Sequence, residues 1–266
     1  MPGSSPAVHV DADRGVATLT LDNPARKNAI TLEMAETMRA FCERVQHDES
    51  IGAVVVQAAG DYFCSGADTR DLASFSENPA HPESVRRTSA VYEAFASVGR
   101  LPVPSLSVVT GGAVGAGVNL ALATDVLLIT PDAVLDSGFL ARGIHPGGGH
   151  LSLIGRAAGR QAAFALAVFG TAISGTEAVA RGIAWACPAR EELPAAVRAL
   201  TAGPAADPEL ARRIKQSAEL ELGPPAATWP AALEVERGMQ MWSLARKGSA
   251  AWARKPGQAG PATGSR

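Results

Sequence analysis

Apolar positions along the chain change period twice. Val8–Val10 and Val16–Leu21 are short apolar runs around the turn sequence Asp11-Ala-Asp-Arg-Gly15, a pattern that predicts a β-hairpin. From Thr31, a residue suited to capping a helix, the spacing becomes helical. Leu32, Ala35, Met38, Phe41, Cys42 and Val45 then share one face of a helix ending near Val45. Ala53–Gln57, Leu106–Val109 and Val126–Ile129 are continuous apolar runs, the signature of strands covered on both faces. Pro102-Val-Pro104 keeps the approach to the second of these runs from being helical. Helical spacing recurs at Glu83–Val98, Ala116–Ala123, Leu151–Phe169, Thr176–Arg181, Ala205–Leu222 and Ala231–Trp252. Strands alternate with helices to about residue 130 and helices dominate afterwards, which predicts an α/β core (residues 1–200) followed by a helical C-terminal region (201–266). Residues 1–7 read as a frayed end, and 256–266 as a low-complexity tail.

Composition narrows the function. The 266 residues are 47% hydrophobic and 19% charged, enough apolar material for a sizeable core and far from a disordered composition. A net charge of −2 gives no basic surplus, so a nucleic-acid partner is not expected. The longest apolar stretch, Gly117–Ile129, is interrupted by Asn119, Thr124 and Asp125, so no membrane span is expected. Met1–Val8 lacks a basic segment followed by an apolar one, hence no signal peptide and a cytoplasmic location are expected. Cys42, Cys64 and Cys187 are too few and too scattered for a disulfide framework or a zinc site.

One local pattern occurs twice. Val54-Val-Val is followed by Gly60-Asp-Tyr-Phe-Cys-Ser-Gly-Ala-Asp68, and Leu106-Ser-Val-Val by Gly111-Gly-Ala-Val-Gly-Ala-Gly117. Each copy reads as strand, glycine-containing loop, helix start. The second copy fails the dinucleotide fingerprint, because the third glycine position is Leu120, and fails the phosphate loop, because Val118-Asn119 follows Gly117. No Gly-x-Ser-x-Gly elbow is present. Two readings remain: close backbone packing, or two helix starts whose free N–H groups converge as an oxyanion hole able to stabilise a thioester enolate.

At this point the residues resemble a known family. Phe63-Cys-Ser-Gly-Ala-Asp68, Val109 to Asp125 and Gly143-Ile-His-Pro-Gly-Gly-Gly149 look like the enoyl-CoA hydratase/isomerase (crotonase) family. Asn23-Pro-Ala-Arg-Lys-Asn-Ala29 resembles its N-terminal CoA-contact segment, and Gly175–Ile183 one of its helix ends. The likeness runs in order over about residues 8–190. It implies an α/β, crotonase-like ββα spiral core with a helical C-terminal trimerisation region. It also implies an acyl-CoA thioester as ligand, with coenzyme A as part of the substrate, no separate cofactor, no metal, and a homotrimer or dimer of trimers. By position the oxyanion N–H groups belong to Ala67 and Ala116. Arg26, Lys27, Ala29, Asp68, Thr69, Arg70 and Gly147 become candidates for CoA or substrate contact, Arg26 and Lys27 reading equally as a solvated turn.

The departures are as informative. Hydratases of the family use two glutamates, and this chain has Asn119 and Phe139 at those positions. An amide is no base and a phenyl ring transfers no proton. His145 and Asp136 are candidates to move the proton instead, each also readable as a loop residue with a backbone partner. Asp68 reads as a backbone acceptor near the helix start, His150 as a cap on the helix after it, and Cys64 as a packed thiol. Three functions fit: an acyl-CoA enzyme with a non-standard acid–base set, a non-catalytic acyl-CoA binder with Phe139 against the acyl chain, or a paralogue with a closed pocket.

Overall fold

The computed structural model describes residues 6–76, 78–223 and 225–247. β1 (Ala7–Asp13) and β2 (Val16–Asp22) form the expected antiparallel hairpin, with Val8 opposite Leu21. In β2 the buried positions alternate (Ala17, Leu19, Leu21), whereas β1 is largely exposed and forms the sheet's edge. β3 (Ala53–Ala58), β4 (Ser105–Val109) and β6 (Val126–Ile129) continue the sheet in parallel, giving the order β1-β2-β3-β4-β6. All five residues of β4 are buried, as a strand covered on both faces requires. A smaller sheet pairs β5 (Gly112–Val114) with β7 (Val134–Asp136) in parallel and β7 with β8 (Ala172–Ser174) antiparallel.

The helices supply the cover. Thr31 caps α1 (Leu32–His47), its Oγ1 accepting from Met34 N at 3.2 Å. The buried face of α1 is Met34, Ala35, Met38, Phe41, Cys42 and Val45; Leu32 packs at its margin. α2 (Thr69–Ser76) and α3 (Pro82–Gly99) follow β3, and α4 (Ala116–Ala123) follows β5. α5 (His150–Ala163), α6 (Gly175–Ala180), α7 (Leu193–Ala206), α8 (Pro208–Leu222) and α9 (Trp229–Lys247) follow in order.

Two long helices expected from the sequence are broken. Leu151–Phe169 is interrupted at Ala158–Gly159, where Gly159 adopts φ +79°, and a π-helical turn occupies Phe164–Val168. Ala205–Leu222 is two helices: Asp207 leaves helical geometry, its carboxylate accepts from Leu210 N at 3.2 Å, and Pro208 starts α8. The chain forms two compact units that divide between Arg212 and Arg213. In the first unit Arg212 donates to Val45 O at 3.0 Å. In the second, the Arg213 and Arg246 guanidiniums lie 5.5 and 5.6 Å from the Trp242 ring. The expected low-complexity tail lies outside the described residues. Among the described residues no helix is long and apolar enough to cross a membrane, and no group of three His, Cys, Asp or Glu residues is placed to hold a metal ion.

Candidate active site

The two copies of the strand–loop–helix pattern lie side by side. Phe63 N donates to Thr110 O at 2.9 Å, Cys64 N to Gly112 O at 3.3 Å and Val114 N to Cys64 O at 2.9 Å. The contact between the turns is backbone on backbone. A Cβ on Gly117 would lie 2.2 Å from Cys64 O, so no other residue fits there. A Cβ on Gly66 would lie 3.6 Å from Ala116 N, which sets that amide beside the loop leading to Ala67. Ala67 sits in a parallel bridge to Ile30, made by Ile30 N to Gly66 O (2.8 Å) and Asp68 N to Ile30 O (2.9 Å). Residues flanking Ala67 make both bonds, so its own N–H points to the other side. Ala116 is the first residue of α4, where helix N–H groups have no partner within the helix.

The Asn23–Ala29 segment is locked beside these turns. Asn28, fully buried, accepts from Asn23 N at 2.6 Å and donates to Ala59 O (2.9 Å) and Tyr62 O (2.7 Å); Asn23 donates to Ala29 O at 2.9 Å. Asp68 is buried at the centre of a cationic cluster. Its carboxylate accepts from Arg70 Nη2 at 3.0 Å and Arg70 N at 2.8 Å, and Arg26 Nε lies 3.2 Å away. The Arg70 guanidinium first, then its backbone N–H and Arg26, hold the Asp68 carboxyl below the usual carboxylate range against the opposing effect of burial. Arg26 also donates to Thr69 Oγ1 at 3.3 Å. Lys27 Nζ stands 5.0 Å above the Tyr62 ring.

Across from the turns runs a neutral polar chain. Asn119, 1% exposed on α4, donates from Nδ2 to Gly147 O at 3.0 Å and accepts at Oδ1 from His150 Nδ1 at 2.7 Å. His150 Nε2 lies 2.9 Å from Ser137 Oγ. The imidazole is also 1% exposed, and the Phe139 ring packs edge-on against it at 4.9 Å. Burial pushes the His150 pKa down to about 4, so the ring is neutral at physiological pH. Because a carbonyl only accepts, the bond to Gly147 O fixes the Asn119 amide. Nδ1 of His150 then carries the proton and Nε2 accepts from Ser137. His150 is therefore no helix cap: Gly149 precedes α5 and the ring turns inward.

Between these walls is a cavity of about 130 Å³, room for roughly four waters by volume. Ala67, Ala116, Asn119, Phe139, His145 and Gly147, all singled out from the sequence, line it together with Ser137 and Arg142. No Asp or Glu stands among its lining residues. Asp136 is not among them; its carboxylate accepts from Gly138 N at 2.9 Å, within its own turn. His145 is exposed at the cavity, its Nδ1 2.7 Å from Pro146 O. Arg26, Lys27 and Ala29, in the locked segment, and Asp68, Thr69 and Arg70, at the start of α2, are not lining residues. Sequence reasoning missed Ser137 and the inward role of His150, whose partners are 13 and 31 residues away in the chain.

Comparison with known proteins places this architecture. A model of the family "Enoyl-CoA hydratase/isomerase" matches residues 11–256. The Mycobacterium tuberculosis protein named "Probable enoyl-CoA hydratase EchA14" is 41% identical over 201 residues, 76% of each chain. The "1,2-epoxyphenylacetyl-CoA isomerase" of Escherichia coli is 32% identical over 65% of this chain and 66% of its own. A Thermobifida fusca protein solved in complex with acetoacetyl-CoA superposes with a TM-score of 0.77 at 28% identity, over 90% of this chain and 95% of that one. The chain belongs to the enoyl-CoA hydratase/isomerase family and has the crotonase fold.

Proposed function

We propose that the protein is an acyl-CoA enzyme that places the thioester carbonyl against the N–H groups of Ala67 and Ala116 and acts on it without the glutamate pair of the family's hydratases. The observation that carries this reading is the cavity wall, which has two small-residue turns on one side and no carboxylate among its lining residues. Two amides aimed at one oxygen favour the charge that develops there. Asn119 and Phe139 stand where the two acids are expected, and general acid–base groups are worth a factor of about 10²–10⁴ each. Water addition by two carboxylates is not the reaction of such a wall. Isomerisation, thioester hydrolysis and decarboxylation ask less of protein acids. His145, at the cavity with Nδ1 committed to Pro146 O, keeps Nε2 for proton exchange with solvent. Asp136, committed to its own turn, is the weaker candidate.

The CoA moiety falls to the locked segment. Arg26 and Arg70 share the single carboxylate of Asp68, which leaves the cluster one positive charge in excess, and Lys27 adds another. Ala29 and Thr69 complete that surface, with Gly147 on the acyl side. We assign self-association, as a homotrimer or dimer of trimers, to the helical C-terminal region. A complex with acetoacetyl-CoA in the T. fusca relative supports the ligand class.

Calorimetry with a panel of acyl-CoAs tests the binding step. Micromolar binding is expected, and Ala116→Pro, which deletes one N–H at a helix position that tolerates proline, is expected to weaken it about tenfold. No binding of any acyl-CoA overturns the reading. For crotonyl-CoA hydration the expected turnover is at least ~10²-fold below that of a two-glutamate hydratase. Hydration at the two-glutamate level would overturn the roles given to Asn119 and Phe139. Both heteroatoms of Asn119 are already engaged, which favours a second reading, an acyl-CoA binder without turnover. Tight binding with no reaction on any acyl-CoA selects it, and activity gained by Phe139→Glu strengthens it.

A further inference from the structure

We propose that Ser137, His150 and Asn119 are a nucleophile, its base and the residue that positions the base, and that the protein hydrolyses acyl-CoA thioesters through an acyl-Ser137 intermediate. The proposal rests on the thioester placement given under Proposed function. Three observations carry it. The first is the chain of distances: 2.9 Å from Ser137 Oγ to His150 Nε2 and 2.7 Å from His150 Nδ1 to Asn119 Oδ1. A hydroxyl within hydrogen-bond reach of an imidazole, itself oriented by a third group, is the geometry of an activated nucleophile, recognised by roles and not by sequence order. The second is direction. Gly147 O anchors Asn119 Nδ2, so Asn119 presents Oδ1 to the ring and leaves the Nε2 lone pair facing the serine hydroxyl.

The third is placement. Ser137 lines the cavity, and the β5–β7 register pairs Val114 with Asp136, so Ser137 comes opposite Gly115, one residue before Ala116. Ser137 O lies 3.6 Å from the position a Cβ on Gly115 would take. The Ser137 main chain thus runs beside the turn that leads into Ala116, whose N–H is one of the two assigned to the carbonyl oxygen. Phe139 packs against the imidazole in a T-shaped contact, and the ring is buried. The neutral state of His150 leaves it free to accept a proton at neutral pH.

In the first half, Ser137 Oγ forms a bond to the thioester carbon while its proton passes to His150 Nε2. The C–S bond breaks, and the departing CoA sulfur takes that proton to leave as the thiol. In the second half a water attacks acyl-Ser137, giving its proton to His150 Nε2, which returns it to Ser137 Oγ as the carboxylic acid departs. The sum is thioester plus water to acid plus thiol, with no redox change.

The test uses the whole chain, with acetyl-, butyryl- and phenylacetyl-CoA as substrates and a thiol reagent to follow release of CoA. Wild type is expected to release CoA, and acid-quenched protein to carry one acyl group on the peptide containing Ser137. Ser137→Ala is expected to lower release at least ~10³-fold with the acyl-CoA Kd changed less than about twofold. Asn119→Asp sets a carboxylate beside the ring, which raises the His150 pKa and moves the acidic limb of the pH–rate profile to higher pH; a packing role alone would leave that limb in place. Acyl-CoA binding with no acyl-Ser137, or equal release by wild type and Ser137→Ala, overturns the proposal and leaves the thioester reading standing. If no acyl-CoA binds, that reading fails, and a fluorophosphonate probe, which needs no CoA, decides the relay. Labelling of Ser137 in wild type but not in His150→Gln supports it, and no labelling of wild type overturns it. The acyl adduct is read on wild type, so a misfolded variant does not obscure the answer.

Discussion

Two polar clusters flank the cavity, and they are built on opposite principles. Around Asp68 a buried carboxylate is matched to two arginines that reach solvent, Arg26 at 35% and Arg70 at 66% side-chain exposure. Around His150 every member is neutral, and the ring is enclosed. The first keeps charge near the surface, where water shares the cost of solvating the arginines. The second obtains direction without charge in the resting protein, where burial disfavours a protonated imidazole. Burial alone lowers the His150 pKa, while arginine contacts lower that of Asp68. A protein that needs an ionised rim and an uncharged wall within one site can have both, because exposure differs so much between them.

The comparison can be broken at its neutral side first. His150→Ala removes a buried ring and orphans Asn119 Oδ1, so a loss of about 4 kcal/mol is expected in urea denaturation. The same residue sets the acid response. Its folded pKa of about 4 lies below the ordinary 6.5, so the unfolded chain binds more protons between those values. Its contribution is complete above pH 6.5 and is lost as pH falls to about 4, by roughly 3 kcal/mol. His150→Gln is expected to flatten that part of a stability–pH curve.

The charged side has a smaller effect in a different window. Asp68→Asn keeps an acceptor for Arg70 N but gives up the charge. About 1–2 kcal/mol is expected, discounted because both arginines rehydrate. With a folded pKa below its ordinary value, Asp68 stabilises above the normal carboxylate range and stops doing so as pH falls beneath it. Urea titration of Asp68→Asn should therefore match wild type only at the most acidic end. Thr31→Ala, remote from both clusters, is expected to cost about 1 kcal/mol through the lost α1 cap. It should leave both pH windows unmoved, which circular dichroism melts at pH 4 and pH 7 would check.

Local signals carried much of the fold. Ala116–Ala123 and Val126–Ile129 coincide with α4 and β6, and Thr31 caps α1, because each depends on neighbours within a turn or on a contiguous apolar run. β5, β7 and β8 were missed: at three residues each they are too short for any period. The break at Asp207 follows from Pro208, which disfavours helical geometry in the residue before it, against the helical spacing of the flanking apolar positions. Of the site, the two repeated turns were visible as motifs. The ring of His150 was not, because its direction is set by Asn119 and Ser137, which only the folded chain brings near.

Gly117 against Cys64 O and Gly111 against Asp61 O leave no gap for even a methyl group between the paired turns. That side of the pocket is written in main chain, so substitution cannot reshape it without prising the turns apart. Any drift toward a new ligand must then come from the side chains that line the rest of the pocket, such as Thr88, Tyr92 and Ile144. The molecule thus holds one invariant jaw and one editable jaw, and a directed-evolution library need randomise only the second.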